Sequence, residues 1–129
     1  MNKNIFVVFL MAIMLFIVFG CNRGIERVGV EGIVTFEGKP LEGCTVMITP
    51  QAGPGAIMET DADGKYKVLK LAGPMPGECE ISVEKFNTQI VDGDSVIAGP
   101  ALPDKIQGKP KPFTLKSGNN TINLDLDQW

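Results

Sequence analysis

The residues in this chain that could do covalent or metal chemistry are three cysteines and a set of dispersed acids, because the chain contains no histidine. Without histidine it has no Ser-His-Asp or Cys-His catalytic group and no His-ligated metal centre. None of the cysteines belongs to a C-x-x-C motif, which a thiol redox centre would favour. We therefore expect a protein that is not an enzyme and that needs no cofactor.

Cys44 and Cys79 fall on the predicted inward faces of two strands. Outside the cytoplasm such thiols tend to oxidise, and a bridge closing a loop of about 35 residues would stabilise the fold by about 3–4 kcal/mol. A disulfide needs Cα atoms within about 7 Å. If the two strands are antiparallel neighbours, both cysteines lie near strand starts, at opposite ends of the sheet. Two alternatives stay open, a Cys44–Cys79 disulfide or two buried free thiols.

Asp61 and Asp63, with Glu59 nearby, resemble a small cluster of calcium ligands. An EF-hand loop would place a glutamate at the twelfth position counted from Asp61, and that position is Ala72. The Asp-Gly pair that ends the segment 61–64 is instead a strong hairpin signal between strands. We expect a turn here and no metal site.

The third cysteine follows a hydrophobic leader. Residues 5–19 are an unbroken apolar run, shorter than the roughly 20 residues that span a bilayer. The run has the proportions of a secretory signal segment. Its end, Val18-Phe19-Gly20-Cys21, resembles the lipobox of bacterial lipoproteins, although Phe19 is larger than the residue usual there.

The lipobox resemblance implies cleavage after Gly20 and attachment of a diacylglycerol to the Cys21 thiol. It makes 1–20 a signal peptide and 21–27 a lipidated tether, while an uncleaved helix and an ordinary signal peptide remain alternatives. Localisation is then the cell envelope, with the domain in the periplasm or at the cell surface. Asn22 slightly favours the outer membrane, since it is not the aspartate associated with inner-membrane retention.

From Val28 onward the chain alternates apolar and polar residues in short runs separated by turns, which predicts an all-β sandwich of about seven strands. In the run 79–83 only one register buries the apolar set rather than the glutamates. The predicted core is Val30, Val34, Phe36, Val46, Ile48, Tyr66, Val68, Ile81, Val83, Leu115, Ile122, Leu124 and Leu126. The run 122–127 is the most regular predicted strand.

Three motifs in order carry a further resemblance: 30–43 (VEGIVTFEGKPLEG), 60–66 (TDADGKY) and 73–79 (GPMPGEC). They are similar to the strand, turn and hairpin signatures of carboxypeptidase regulatory-like domains. The resemblance implies a transthyretin-like (prealbumin-like) Greek-key sandwich over 28–127, without catalysis. The chain departs from that family's pattern at Cys44 and Cys79.

The segment 86–112 contains four prolines and is long for a loop in a compact domain. We expect one of two arrangements for this segment. In the first it packs in an ordered way, and Ile90, Val91, Val96, Ile97 and Leu102 hold it against the sandwich or form an extra edge strand. In the second it forms a binding surface.

The predicted function is a non-catalytic, lipid-anchored envelope module of structural or interaction type. The alternative is a ligand-binding module that recognises a glycan or envelope polymer through residues 86–112. The expected partners are the membrane, through the lipid on Cys21, and an envelope protein or glycan. Nucleic acid is not expected, because a net charge of −3 leaves no basic excess to bind phosphates.

Overall fold

The computed structural model describes residues 24–129, so the predicted signal peptide, Cys21 and Asn22 lie outside the described residues. The described chain forms eleven strands and two single-turn 3₁₀ helices, Lys70–Ala72 and Leu126–Gln128. The strands are β1 (Gly29–Phe36), β2 (Lys39–Pro40), β3 (Thr45–Pro50), β4 (Ala56–Glu59), β5 (Lys65–Val68), β6 (Gly77–Glu84), β7 (Phe86–Val91), β8 (Asp94–Pro100), β9 (Lys111–Leu115), β10 (Asn119–Thr121) and β11 (Leu124–Asp125). The prediction of an all-β sandwich is confirmed, although residues 24–129 form eleven strands, several of them short, instead of about seven.

Two sheets enclose the core. In the first sheet β1 is central: β5 and β2 pair with it in antiparallel fashion, and β10 and β11 pair with it in parallel fashion. The second sheet has the order β4-β3-β6-β9, with every pair antiparallel. A third unit, the two-stranded ribbon β7-β8, continues beyond the second sheet.

The core lies where the inward residues of the two sheets meet, as the alternating pattern predicts. Val30, Val34, Val46, Ile48, Tyr66, Ile81, Val83, Leu115, Leu124 and Leu126 are buried, while Phe36, Val68 and Ile122 pack against them half-buried. The core also contains Val28, Cys44, Met58, Cys79, Leu102 and Ile106. The glutamates Glu78 and Glu80 of β6 point to solvent, as the register argument requires.

The predicted hairpin at 61–64 is wrong in its pairing, although the turn itself is present. Asp61 Oδ1 accepts hydrogen bonds from the backbone N–H groups of Asp63 and Lys65, both at 2.9 Å. Gly64 adopts φ +71°, which redirects the chain. As a result β4 remains in the second sheet while β5 joins the first, so the turn links the two layers instead of joining paired neighbours.

The predicted strand 122–127 is also interrupted. The Tyr66 hydroxyl donates to the Ile122 carbonyl at 2.5 Å, and Asn123 Oδ1 accepts from the backbone N–H of Ile33 at 3.1 Å. The Ile122 N–H still donates to the Glu31 carbonyl at 2.8 Å, so Ile122 and Asn123 stay beside β1 without forming a regular strand. Of the predicted strand 122–127, Leu124–Asp125 form β11 and the chain then enters a 3₁₀ turn, in which the Asp127 N–H donates to the Asp125 carboxylate.

Candidate functional site

The segment 86–112 divides into a part that packs on the sandwich and a part that projects from it. Leu102 and Ile106 are buried in the core. The backbone N–H of Gly108 donates to the carbonyl oxygen of Val83 at 2.9 Å, and the backbone N–H of Lys85 donates to the side-chain oxygen of Gln107 at 3.1 Å. Residues 101–110, which we call the return segment, are therefore anchored beside β6, as predicted for Leu102.

Residues 86–100 form the projecting part, which we call the hairpin. Its two strands join through Asp92 (φ +51°) and Gly93 (φ +88°), the left-handed conformations that a two-residue hairpin turn requires. The prediction that Ile90, Val91, Val96 and Ile97 pin this segment to the sandwich or add an edge strand to it is wrong. All four are exposed, and β7 and β8 pair with each other as a separate ribbon. The Asp92-Gly93 pair between apolar runs was the sequence signal that could have located the hairpin.

One face of the hairpin carries its largest apolar side chains. Phe86, Thr88 and Ile90 alternate along β7 and share a face, and Ile97 lies opposite Thr88 on that same face. Ile90 is 71% exposed, Ile97 66% and Phe86 44%. We call this set the apolar face. Val91 and Val96, at 50% and 46%, are exposed on the other side.

The charged residues of the hairpin lie at its tip and at its base. Asp92 and Asp94 make its tip acidic, and both are exposed. The base carries charges of both signs: Glu84 and Lys85 precede β7, and Asp104 and Lys105 lie in residues 101–110. The Lys85 ammonium donates to the backbone carbonyl of Glu42, which fixes it against the sandwich.

The two cysteines are separate and buried. In the β3–β6 register Cys79 lies opposite Pro50, while Cys44 precedes Thr45, whose partner is Glu84. Cys44 is therefore six residues from Cys79 along the sheet, or about 20 Å. A Cys44–Cys79 disulfide is therefore absent, and both thiols are free.

Burial governs the chemistry of these thiols. It raises the pKa of Cys44 from 9.0 to about 12, against smaller opposing effects of the Lys85 charge and a backbone hydrogen bond at Glu84. It also raises the pKa of Cys79. Thiolate is the nucleophilic and metal-binding form, so both groups are inert near neutral pH.

The acids singled out as calcium ligands serve the inter-sheet turn. The Asp61 carboxylate accepts its two backbone bonds there, and Asp63 and Glu59 are exposed. Among residues 24–129, no group of three or more cysteine or acidic side chains is placed to hold a metal ion. In the same range, no helix has the length and apolar character needed to cross a membrane.

A groove of about 670 Å³ lies on the outer face of the first sheet, lined by Glu31, Ile33, Lys65, Lys67 and Asn123 among others. Its charges are of both signs, and Lys67 forms an exposed ion pair with Glu31 at 3.5 Å. Such a surface selects neither anions nor cations. The hairpin is the stronger candidate, because solvent-exposed apolar side chains grouped on one element are typical of interaction sites.

No known family's sequence model matches this chain, and no curated protein is similar to it. Among solved structures, a DUF3823 family protein from Parabacteroides merdae is similar over 79% of this chain and 46% of its own, with 15% identity and a TM-score of 0.49. A "putative carbohydrate binding protein" from Pseudomonas aeruginosa matches over 83% and 93%, with 13% identity and a TM-score of 0.47. A DUF3823 family protein from Bacteroides ovatus matches over 77% and 44%, with 10% identity and a TM-score of 0.45. This chain spans less than half the length of the two DUF3823 proteins.

Proposed function

We propose that this chain is a non-catalytic module of the cell envelope, anchored by lipid on Cys21, whose sandwich presents the hairpin to a protein partner. The observation that carries the proposal is the exposure of five apolar side chains, 44–71%, on a two-stranded ribbon. A ribbon of two strands is marginally stable in water, and its free edges can pair with another strand. A partner that packs on the apolar face would bury these side chains and stabilise the ribbon.

We further propose that the sandwich is related to carboxypeptidase regulatory-like domains, on the motifs at 30–43, 60–66 and 73–79. Those domains are accessory or structural parts. The inertness of the two buried thiols in residues 24–129 supports a role without catalysis.

The alternative, glycan recognition by residues 86–112, receives less support. Sugar and small-molecule sites rely on aromatic surfaces with a few polar groups. In the described chain Tyr66 is buried, Lys111 covers the Trp129 ring at 5.1 Å from its centroid, and Phe113 packs on the core. Phe86 is the aromatic residue of the hairpin itself, and it lies opposite Pro100.

The anchor is tested by growing cells with a fatty-acid probe and comparing the wild-type chain with Cys21→Ala. We expect probe on the wild-type protein alone, which then fractionates with membranes. Equal labelling of both proteins would overturn the lipid anchor.

The hairpin is tested separately by photo-crosslinking in cells. A photoreactive amino acid replaces Thr88, which is exposed on the apolar face of β7, or Thr114, an exposed control on β9 of the sandwich. We expect protein adducts from position 88 and none from position 114. Equal adduct formation from the two positions, or none from either, would overturn the interaction role of the hairpin.

A further inference from the structure

The sandwich has two ends, and the chain enters it at one of them. Residues 24–28 lead into β1, and the β3–β4 connection (51–55), the β5–β6 connection (69–76) and the β9–β10 turn (116–118) lie at that same end. We call these four segments the entry end. Strand β6 starts at the entry end and β7 follows its far end, so the hairpin leaves the sandwich at the opposite end.

The β5–β6 connection is held against the incoming chain. The backbone N–H of Val28 donates to the Pro74 carbonyl at 2.9 Å, and the Arg27 guanidinium donates to the Gly73 carbonyl at 3.3 Å. A Cβ added to Gly73 would overlap the Val28 carbonyl, so the two backbones are in close contact. The residues that follow the tether and the connection 69–76 therefore lie side by side.

The entry end exposes large apolar side chains that do not pack on the core. Leu71, in the 3₁₀ helix Lys70–Ala72, is 92% exposed, the highest value among the large apolar side chains of residues 24–129. Leu69 is 66% exposed and Ile25 63%. The exposed Lys70 lies between the two leucines in the sequence. A turn with this composition suits the boundary between lipid head groups and acyl chains, where leucine is buried and an ammonium group stays in water.

Charge distinguishes the entry end from the opposite end. In the entry end three cations, Arg27, Lys70 and Lys116, accompany one acid, Glu26. The turns, loops and 3₁₀ helix of the opposite end are acidic, since in residues 24–129 they contain Glu37, Glu42, Asp61, Asp63, Asp92, Asp104 and Asp127 with Lys85, Lys105 and Lys109. An anionic lipid surface therefore attracts the entry end and repels the opposite end.

The tether keeps the entry end close to the membrane. Cys21 and Val28 are seven residues apart, so even a fully extended tether holds the start of β1 within about 25 Å of the lipid on Cys21. The opposite end lies about 26 Å further away, the length of the eight residues of β1. A short tether gives the lipid surface a high effective concentration at the entry end, so weak contacts there are sufficient for docking.

We propose that the entry end docks on the bilayer that holds the anchor, through the connection 69–76 and the turn 116–118. Leu69 and Leu71 enter the head-group boundary, while Lys70 and Lys116 face anionic lipid phosphates. The hairpin then projects away from the membrane. This inference rests on the lipid anchor proposed above, and it adds the orientation in which the anchored sandwich presents its hairpin.

The orientation is tested with the full-length, lipid-anchored protein in vesicles of phosphatidylethanolamine and phosphatidylglycerol that contain a spin-labelled lipid. Ala72→Cys and Ala62→Cys each supply one exposed thiol for a fluorophore, the first at the entry end and the second at the opposite end. The native thiols of Cys44 and Cys79 are buried and should not react. We expect the spin label to quench the fluorophore at position 72 and not at position 62. Equal quenching at the two positions, or none at either, would overturn the docking.

The leucines are tested in the Ala72→Cys background. Leu69→Ser combined with Leu71→Ser removes two exposed side chains that do not pack on the core, so the fold should be unchanged. We expect the ratio of docked to undocked protein, measured by quenching, to fall about tenfold or more, because both apolar contacts with lipid are lost. Ile90→Ser combined with Ile97→Ser, a similarly exposed pair on the hairpin, is the control and should leave quenching unchanged. A fall of the same size in the control would contradict the role of the leucines.

The cations are tested in the same background by Lys70→Gln combined with Lys116→Gln. Each lysine near an anionic surface favours docking about fivefold, so we expect the docked-to-undocked ratio to fall about tenfold or more. The effect should disappear in vesicles of phosphatidylcholine alone, which have no net charge. Lys105→Gln combined with Lys109→Gln removes the same charge from the return segment and should not reduce quenching. A loss that is equal in the two lysine pairs, or equal in the two kinds of vesicle, would refute the contact with anionic lipid.

The outcomes separate this inference from the proposed function. A wild-type chain that carries no lipid and does not stay on the vesicles would refute the anchor itself. A chain that stays on the vesicles without quenching at position 72 would keep the anchor and refute the docking alone. A fluorophore at position 72 that is shielded from aqueous quenchers in cell envelopes but not in pure lipid vesicles would show that a protein covers the entry end, and it would overturn the lipid contact.

Discussion

The hydrogen bond between Tyr66 and Ile122 fixes the point at which the last strand breaks, so its removal tests the account of the fold most directly. Tyr66 is 2% exposed, and its hydroxyl donates to the Ile122 carbonyl at 2.5 Å. The same carbonyl oxygen lies against Gly32: a Cβ added to Gly32 would be 1.8 Å from it. The backbone of β1 therefore packs closely against this oxygen.

Tyr66→Phe removes the hydroxyl and keeps the ring, so it creates no cavity of any size. The hydrogen bond itself contributes about 1 kcal/mol, and a buried carbonyl left without a donor costs about 1–3 kcal/mol. Because Gly32 shields the oxygen from water, we expect the free energy of unfolding to fall by about 2 kcal/mol. For a domain of this size, such a fall lowers Tm by about 10 °C.

Urea unfolding followed by circular dichroism, on a soluble chain that starts at residue 22, measures this change. The midpoint should fall by about 1 M with an unchanged m value. Gln51→Ala is the control, since it removes an exposed side-chain hydrogen bond to Glu78 and should change stability by less than about 0.5 kcal/mol. A loss in Tyr66→Phe no larger than that of the control would refute the reasoning.

Three further predictions concern the anchored segment, the buried thiol and the inter-sheet turn. Ile106→Ala leaves a cavity in the core and should lower the free energy of unfolding by about 2–5 kcal/mol, whereas Ile90→Ala, on the projecting hairpin, should change it by less than about 0.5 kcal/mol in the same urea titration. The pKa of Cys44 is 9.0 in the unfolded chain and about 12 in the folded one, so the thiol of the unfolded chain loses its proton first. The free energy of unfolding should therefore decline as pH rises from about 9 to 12, and it should decline less in Cys44→Ala. An equal decline in the two proteins would contradict this prediction. Asp61→Ala leaves two backbone N–H groups without their acceptor and should lower the free energy of unfolding by about 1 kcal/mol, measured by thermal unfolding. Asp61→Asn should recover most of that loss, and EDTA should not change the Tm of either variant. A Tm that depends on the chelator would show that the turn binds a metal ion.

The alternating pattern predicted the inward residues well, and the residues it missed have specific reasons. Leu102 and Ile106 belong to a segment without alternation, so nothing in the sequence distinguishes their burial from the exposure of Ile90 and Ile97. The hairpin, by contrast, had a local signal in Asp92-Gly93. The four prolines in 86–112 favour a loop instead, although three of them lie outside the two hairpin strands.

Local alternation is enough to predict that this chain makes a two-layered β structure and which side chains enter its core. Each alternating run has only one register that buries its apolar set, and that choice is local. Strand pairing, the break in the last strand and the exposure of the hairpin's apolar residues follow from the assembled fold. Those outcomes depend on contacts between distant residues, such as Tyr66 with Ile122 and Ile33 with Asn123, 56 and 90 positions apart. The alternating pattern of a strand is the same whichever neighbour it pairs with, so its partner is fixed only when the whole chain is assembled.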